Sequence, residues 1–378
     1  MSHGPPLRLA AFLRTTLPLD LSRLPTIDAG RYHSIWLPDH LVSFWPDAIW
    51  TAEFTDLADI SHSPHRHLDA LTVAGTVAGL TQQVQVATSV LDTIRRHPVM
   101  LAQSAVTLSH VSQGRFILGL GAGEKENLAP YGFDFSRAVA RFEEALEVIT
   151  LLWNTEAPVD FEGAFFRLDR ARLDAELFDG RPPPIWIGAN GPRMLDIAGR
   201  YADGWWPTGS DGPEEYAAKL AAVRRAAERH GRDPQQITPA KMVVSLIGEP
   251  DEIDEMLRKP LVKSLALQLT AESFRVRGYM HPMGEQWRGI QDIEPGKLSR
   301  ERLMELFDDV DPAAILSVVP HGTPEQVAGH LADLHEAGMQ VAAVLDYGGM
   351  AGQDFASRSA AKVQAVETAA MRLVGAAT

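Results

Sequence analysis

The feature that most constrains this chain is an alternation. Apolar runs of three to six residues are separated by longer stretches of helical periodicity, the pattern left by parallel strands joined through crossover helices. The candidate strands are Leu7–Phe12, Ser34–Leu37, Val84–Thr88, Phe116–Leu120, Ile185–Ile187, Gly204–Trp206, Met242–Leu246 and Val341–Leu345. Helical patterns between them include Val99–His110, Arg137–Trp153, Arg193–Tyr201, Pro213–His230 and Pro324–Ala337. Thr323-Pro324 before the last of these and Gly338 after it are helix start and stop signals. Eight strands favour a closed α/β fold, the (β/α)8 TIM barrel, over an open doubly wound sheet. At 378 residues the chain is long for one average domain, but a barrel with insertions at its C-terminal face reaches that size. One barrel domain over 1–378 is therefore expected, with insertions near 38–65, 158–168 and 249–311. The first is rich in Trp, Phe, Asp and His. The second reads as a β-hairpin turning near Glu162-Gly163, and the third as partly helical and dense in charge.

Composition removes several function classes. A formal charge of −14 argues against nucleic acid as a partner, because phosphate binding needs a basic face. With no cysteine, disulfides, thiol catalysis and cysteine-ligated metals are excluded. No apolar run reaches membrane-spanning length, so no integral membrane segment is expected. Met1-Ser-His-Gly-Pro-Pro carries neither a signal pattern nor a twin arginine, which makes a cytoplasmic location the expectation.

Barrel chemistry sits just after strand ends. There the chain places Pro38-Asp39-His40, Ser89-Val90-Leu91-Asp92, Gly121-Ala122-Gly123-Glu124-Lys-Glu-Asn127, and Gly188-Ala189-Asn190-Gly191-Pro192-Arg193. Histidine and glutamate at two of these ends suit an acid/base pair. The glycines at 119, 121 and 123 do not fit Gly-x-Gly-x-x-Gly and follow the fourth strand, so a Rossmann dinucleotide site is not expected. Small residues there let a flat ring approach the backbone, or simply allow tight strand packing. Asn190-Gly191-Pro192-Arg193 opens a helix, either as a plain N-terminus or as an anion site to which Arg193 adds a forked contact. His62, His65 and His67 are expected to line the entrance, with zinc coordination as the alternative. Trp45, Trp50, Trp205 and Trp206 wall a pocket or pack the core.

Several motifs resemble the luciferase-like barrel oxidoreductases, and within them the branch that uses the deazaflavin coenzyme F420. They are Trp36-Leu-Pro-Asp39-His40, Ala87-Thr-Ser-Val-Leu91 with Arg96-His-Pro98, Gly114-Arg-Phe-Ile-Leu-Gly-Leu-Gly-Ala-Gly-Glu124, and Ala198-Gly-Arg-Tyr-Ala-Asp-Gly-Trp205. Further segments resemble the ketoreductases of that branch: Pro130-Tyr-Gly132, Ala140-Arg-Phe-Glu-Glu-Ala-Leu146, Gly191-Pro-Arg-Met-Leu195, His281-Pro-Met-Gly284 and Gln291-Asp-Ile293. The resemblance implies a non-proline cis peptide at Ser89-Val90 beneath the central ring of the cofactor. It implies Asp39 and His40 beside the hydride-accepting carbon, with Asp39 orienting His40. It makes Glu124 an acid/base group, Asn127 a polar neighbour of the cofactor, and Ala189, Asn190 and Gly191 the loop at its phosphate end. Arg193, Arg95 and Arg96 are expected to meet its acidic tail.

Two departures bear on substrate and cofactor contacts. Relatives that oxidise glucose 6-phosphate carry a lysine where Gly209-Ser210-Asp211 stands, and relatives often carry threonine where Asp92 stands. The expected activity is thus F420-dependent hydride transfer to or from a carbonyl or alcohol on an apolar or lipid-like small molecule. An FMN-dependent monooxygenase and a non-catalytic flavin or deazaflavin carrier are the alternatives. A homodimer is the assembly the resemblance suggests.

Overall fold

The computed structural model describes residues 5–209 and 212–377. Eight strands form its centre: β1 (Arg8–Phe12), β2 (Ser34–Leu37), β3 (Gln85–Thr88), β4 (Phe116–Gly121), β5 (Ile185–Ile187), β6 (Gly204–Trp205), β7 (Thr238–Ile247) and β8 (Val341–Asp346). Each pairs in parallel with the next, and β8 pairs with β1 from Arg8↔Val341 to Ala10↔Ala343, which closes a (β/α)8 barrel. Every expected strand is present. The largest boundary difference is at β7, expected over Met242–Leu246, because Pro239 and Lys241 interrupt the apolar run. In the fold Lys241 is buried and its ammonium donates to the Gly209 carbonyl, so a charged side chain is accommodated inside the strand.

Strand alternation decides what fills the barrel. Leu9 and Ala11 face outward onto the helical layer, while Ala10 and Phe12 face inward. The interior is completed by Trp36, Ala87, Ile117, Trp186, Trp206 and Ala343. Trp36 and Trp206 stack with ring centroids 3.8 Å apart, and Trp186 tilts against Trp36 at 5.2 Å. A Cβ at Gly204 would lie 2.2 Å from the Trp186 ring, so this glycine is what admits the third indole. The barrel is therefore a packed plug, and any site must lie above it, at the C-terminal ends of the strands. Trp205 faces outward and stacks on Tyr216 at 4.9 Å. Of the two readings of Trp205 and Trp206, pocket wall or core, both residues are core.

The helices Ala70–Leu80, Pro98–Val111, Ala138–Trp153, Pro192–Tyr201, Pro213–Arg229, Pro324–Glu336 and Gln353–Ala377 surround the sheet. At the start of Pro324–Glu336, Thr323 and Gln326 cap each other reciprocally. The second insertion is the expected hairpin, Val159–Glu162 paired antiparallel with Arg167–Ala171. The third folds into short helices from Pro250–Arg258 to Arg300–Asp309. It shares a second apolar core with Ile49 and Leu57 of the first insertion and with Tyr347 and Met350 just past β8. Together these segments roof one side of the barrel mouth. Among the described residues no helix is long and apolar enough to cross a membrane.

Candidate active site

Between the barrel mouth and the roof lies a cavity of about 1640 Å³. A single small ligand usually occupies roughly 300–1,000 Å³, so this space admits two molecules side by side. Its floor includes Ser89, Val90, Ala122 and Asn190, and its roof includes Trp45, Trp50, Leu265 and Leu269. The Ser89–Val90 peptide is cis, as the resemblance implied. The Trp206 indole N–H donates to Ser89 Oγ at 3.1 Å, tying that bulge to the plug below.

The glycines of β4 serve that bulge directly. A Cβ on Gly119 would lie 1.7 Å from the Thr88 carbonyl oxygen, and one on Gly121 would lie 2.6 Å from Val90 Cγ2. Gly123 has φ +94° and would meet Leu128 at 2.8 Å. All three are thus required by strand and loop packing, and Gly121 and Gly123 also line the cavity. Val90 and Ala122 line it beside them.

His40, at the end of β2, sits in a constellation supplied by the loop after β4. Asn127 Oδ1 accepts from the backbone N–H groups of Leu41 (2.6 Å) and Val42 (3.2 Å). That fixes the amide, whose Nδ2 then donates to His40 Nδ1 at 3.0 Å and to Glu126 Oε1 at 2.8 Å. With Nδ1 an acceptor, the neutral imidazole carries its proton on Nε2. His40 Nδ1 lies 3.6 Å from Glu124 Oε2 and 3.9 Å from Glu126 Oε1. Glu124 borders the cavity, whereas Glu126 is wholly buried and its Oε2 has no hydrogen-bond partner. Burial, and then the neighbouring Glu124 carboxylate, hold the Glu126 carboxyl well above the usual carboxylate range. Glu126 thus retains a proton under conditions where ordinary glutamates have lost it. Ligand atoms of His40, Glu124 and Glu126 all lie within 4.8 Å of one another, the grouping among the described residues with the geometry to hold a metal ion.

Glu126 was not singled out from sequence. An acidic residue in a short polar turn reads as exposed; only the packing of that turn under the 38–45 segment buries it. Asn127 spends its amide on protein groups and so fastens His40, while it also borders the cavity. Asp39 also departs from expectation. Its carboxylate receives Arg95 Nη2 at 2.5 Å and Arg96 Nη1 and Nη2 at 2.6 and 2.9 Å, and it makes no hydrogen bond to His40. Arg95 also donates to Asp92, and Arg96 to Asp69 at 2.6 Å. Arg95 and Arg96 therefore support this loop, with Arg95 and Asp92 also lining the cavity, and Asp92 accepts from Arg95 and from the N–H groups of Ile94 and Arg95.

After β5, Asn190 and Gly191 face the cavity, and Asn190 Oδ1 is buried without a partner. Ala189 does not line the cavity; its carbonyl accepts the Trp205 indole N–H at 2.9 Å. Arg193 lies at the rim, paired with Glu143 at 2.9 Å and exposed on its other side. The three histidines of 62–67 do not converge on a metal. His65 is held by Ser43 N–H at 3.0 Å and Asp47 at 3.0 Å, and His67 contacts Ser43 Oγ at 2.8 Å. Burial, helped by His40 and His65, pulls the His67 pKa down to about 3, so it stays neutral. Ser210 and Asp211 lie outside the described residues.

Comparison with known proteins agrees with this geometry. Residues 28–340 match the family described as Luciferase-like monooxygenase. The phthiodiolone/phenolphthiodiolone dimycocerosates ketoreductase of Mycobacterium tuberculosis is 36% identical over 344 residues, covering 88% of each chain. The F420-dependent glucose-6-phosphate dehydrogenase of Nakamurella multipartita is 36% identical over 206 residues, 53% of this chain and 55% of that one. In three dimensions the chain is similar to an F420-dependent secondary alcohol dehydrogenase in complex with an F420-acetone adduct (TM-score 0.72, 19% identity, 97% and 99% of the two chains). It is also similar to a long-chain alkane monooxygenase (TM-score 0.63, 18% identity, 97% and 91% of the two chains). The closed barrel, the cis bulge in β3's loop and a family match spanning most of the chain lead to one conclusion: this chain belongs to the luciferase-like monooxygenase family.

Proposed function

We propose that the chain is an F420-dependent oxidoreductase, moving a hydride between the deazaflavin and a carbonyl or alcohol carbon of a molecule with a large apolar part. The observation that carries this reading is that His40 and Glu124, with buried Glu126 within 3.9 Å of His40, line the same cavity as the Ser89–Val90 bulge, under a roof of Trp45, Trp50, Leu265 and Leu269. When bound, the deazaflavin supplies or accepts the hydride. Val90 and Ala122 offer its ring an apolar floor, and the unpartnered Asn190 amide with the open Gly191 suits the polar end. His40 Nε2–H is the donor for the substrate oxygen as charge develops on it. The Glu124–Glu126 pair holds the proton that makes the product hydroxyl neutral. The roof excludes water and receives the apolar body of the substrate; the ketoreductase relative, whose name specifies a lipid, supports that size class.

Titration with oxidised F420, followed by its fluorescence, and turnover of a long-chain methyl ketone with reduced F420 test the proposal together. His40→Ala is expected to lower turnover about 10²–10⁴-fold while leaving cofactor affinity within a few-fold. Unchanged fluorescence on titration would remove the cofactor assignment. Tight cofactor binding with no turnover, unaffected by His40→Ala and Glu124→Ala, would make the chain a carrier. Oxygen uptake dependent on reduced FMN would move the reading to a monooxygenase, the activity named for one structural neighbour.

A further inference from the structure

Arg14 follows β1 with the same parity as Ala10 and Phe12, so alternation carries it over the barrel mouth while Leu13 turns outward into the helical layer. The hydroxyl of Thr15 donates to the Pro38 carbonyl at 2.9 Å, which fixes the segment against the residues leading to His40. Arg14 lines the large cavity and is accessible from it. Yet its guanidinium makes no hydrogen bond, ion pair or ring contact with any described residue. The charged group that influences it, Asp346, stays beyond ion-pair distance and accepts from the N–H groups of Gly348 at 2.9 Å and Ile247 at 3.4 Å.

Arginines with a structural role in this fold spend their donors on protein groups. Arg115 makes four hydrogen bonds, to Ala78, Thr81 and Val84. Arg95 and Arg96 are each shared between two carboxylates. Arg14 has five N–H donors and nothing to give them to. Desolvation by the surrounding cavity walls pulls its pKa below the ordinary arginine value, yet arginine does not shed its proton in a protein, so a full charge stays on a side chain open to the cavity.

Position separates this group from the cofactor floor. In barrel order, the bulge, Gly121–Gly123 and Asn190 belong to the arc β3–β4–β5, His40 to β2, and Arg14 to β1, flanked by β8. Arg14 therefore faces the half of the cavity left for substrate, beneath the apolar roof. We propose that Arg14 forms an anion subsite within the substrate half of the cavity, recognising a carboxylate or phosphate group on a molecule whose apolar body lies under the roof. This rests on the cavity being the substrate site, as in the proposed function. A planar guanidinium with its donors free matches two oxygens of one anionic group at once.

The test uses the full chain without cofactor, and reads the fluorescence of the tryptophans, two of which line the cavity, against dodecanoate, dodecyl phosphate and dodecanol at low salt. The expected result is that one or both anions bind ten- to a hundred-fold more tightly than the alcohol, and whichever does so identifies the anion class. R14M is expected to erase that preference while leaving dodecanol affinity unchanged, which also shows that the variant is folded. R14K, a point charge without the fork, is expected to keep part of it. Equal binding of the three probes by the parent chain, or a preference that survives in R14M, overturns the proposal. If R14M does not fold, R14Q gives the same comparison. Titration with F420 on the same preparation is scored separately. Failure to bind F420 with an intact Arg14-dependent preference removes the redox reading and leaves the anion subsite standing.

Discussion

Glu126→Gln is the substitution whose outcome the site geometry determines most sharply. The side chain is wholly buried, Oε1 accepts from Asn127, and Oε2 has no partner. In the unfolded chain Glu126 titrates near its ordinary value of 4.5, whereas in the fold burial and Glu124 raise it well above that. Between those two values the folded state binds one proton more than the unfolded state, so stability is full below about pH 4.5 and falls as pH rises through the folded pKa. Each pH unit in that window costs about 1.4 kcal/mol. At pH 7 the ceiling on the loss is therefore about 3 kcal/mol, set by the distance from 4.5. Glutamine keeps the acceptor for Asn127, replaces the orphan oxygen with a donor toward Glu124, and cannot ionise. The variant is thus expected to match the parent protein near pH 4 and to exceed it by up to about 3 kcal/mol at pH 7. Urea unfolding at half-unit pH steps from 4 to 8 measures the difference. Asp203, Asp346 and Glu367, whose pKa values burial also raises, titrate in both proteins and cancel. A stability difference that does not change with pH would refute the claim that Glu126 keeps its proton. The same substitution is expected to slow carbonyl reduction, because the pair then has only Glu124 to hold a proton.

Two further substitutions probe the supports of the site. Asp39→Ala leaves Arg95 with Asp92 alone and Arg96 with the half-exposed Asp69, and is expected to cost about 3–5 kcal/mol in urea unfolding; a loss under about 1 kcal/mol would show that the two arginines do not depend on it. Gly119→Ala drives a methyl group into the Thr88 carbonyl and is expected to lower the thermal midpoint steeply or prevent soluble folding, whereas Gly191→Ala meets nothing within 4 Å and should melt with the parent protein. Equal melting of both glycine variants would mean that β3 and β4 are not packed as described.

Much of the fold was legible along the chain because the barrel repeats one signal, a short apolar run and then a helical period, and repetition makes each strand's register with the next nearly obligatory. The bulge at Ser89-Val90 followed from the family resemblance, while local order was enough to place His40 and Glu124 at strand ends. It was not enough to say which neighbours those side chains would have. Asp39 precedes His40 in sequence, yet successive residues point apart, so Asp39 turns to Arg95 and Arg96 while His40 meets Asn127, 87 residues away. Glu126 looks like any surface glutamate until the turn carrying it is packed beneath the segment after β2. Arg14 looks like any charged residue after a strand until the fold sets it in the cavity wall without a protein partner. The sequence by itself determined the barrel and the strand ends that carry the chemistry, since both follow from periodicity. Tertiary structure alone decided which carboxyl is stripped of water, that Arg14 meets the cavity without a protein partner, and that the β4 glycines fit the bulge, because burial and pairing are set by segments remote in the chain.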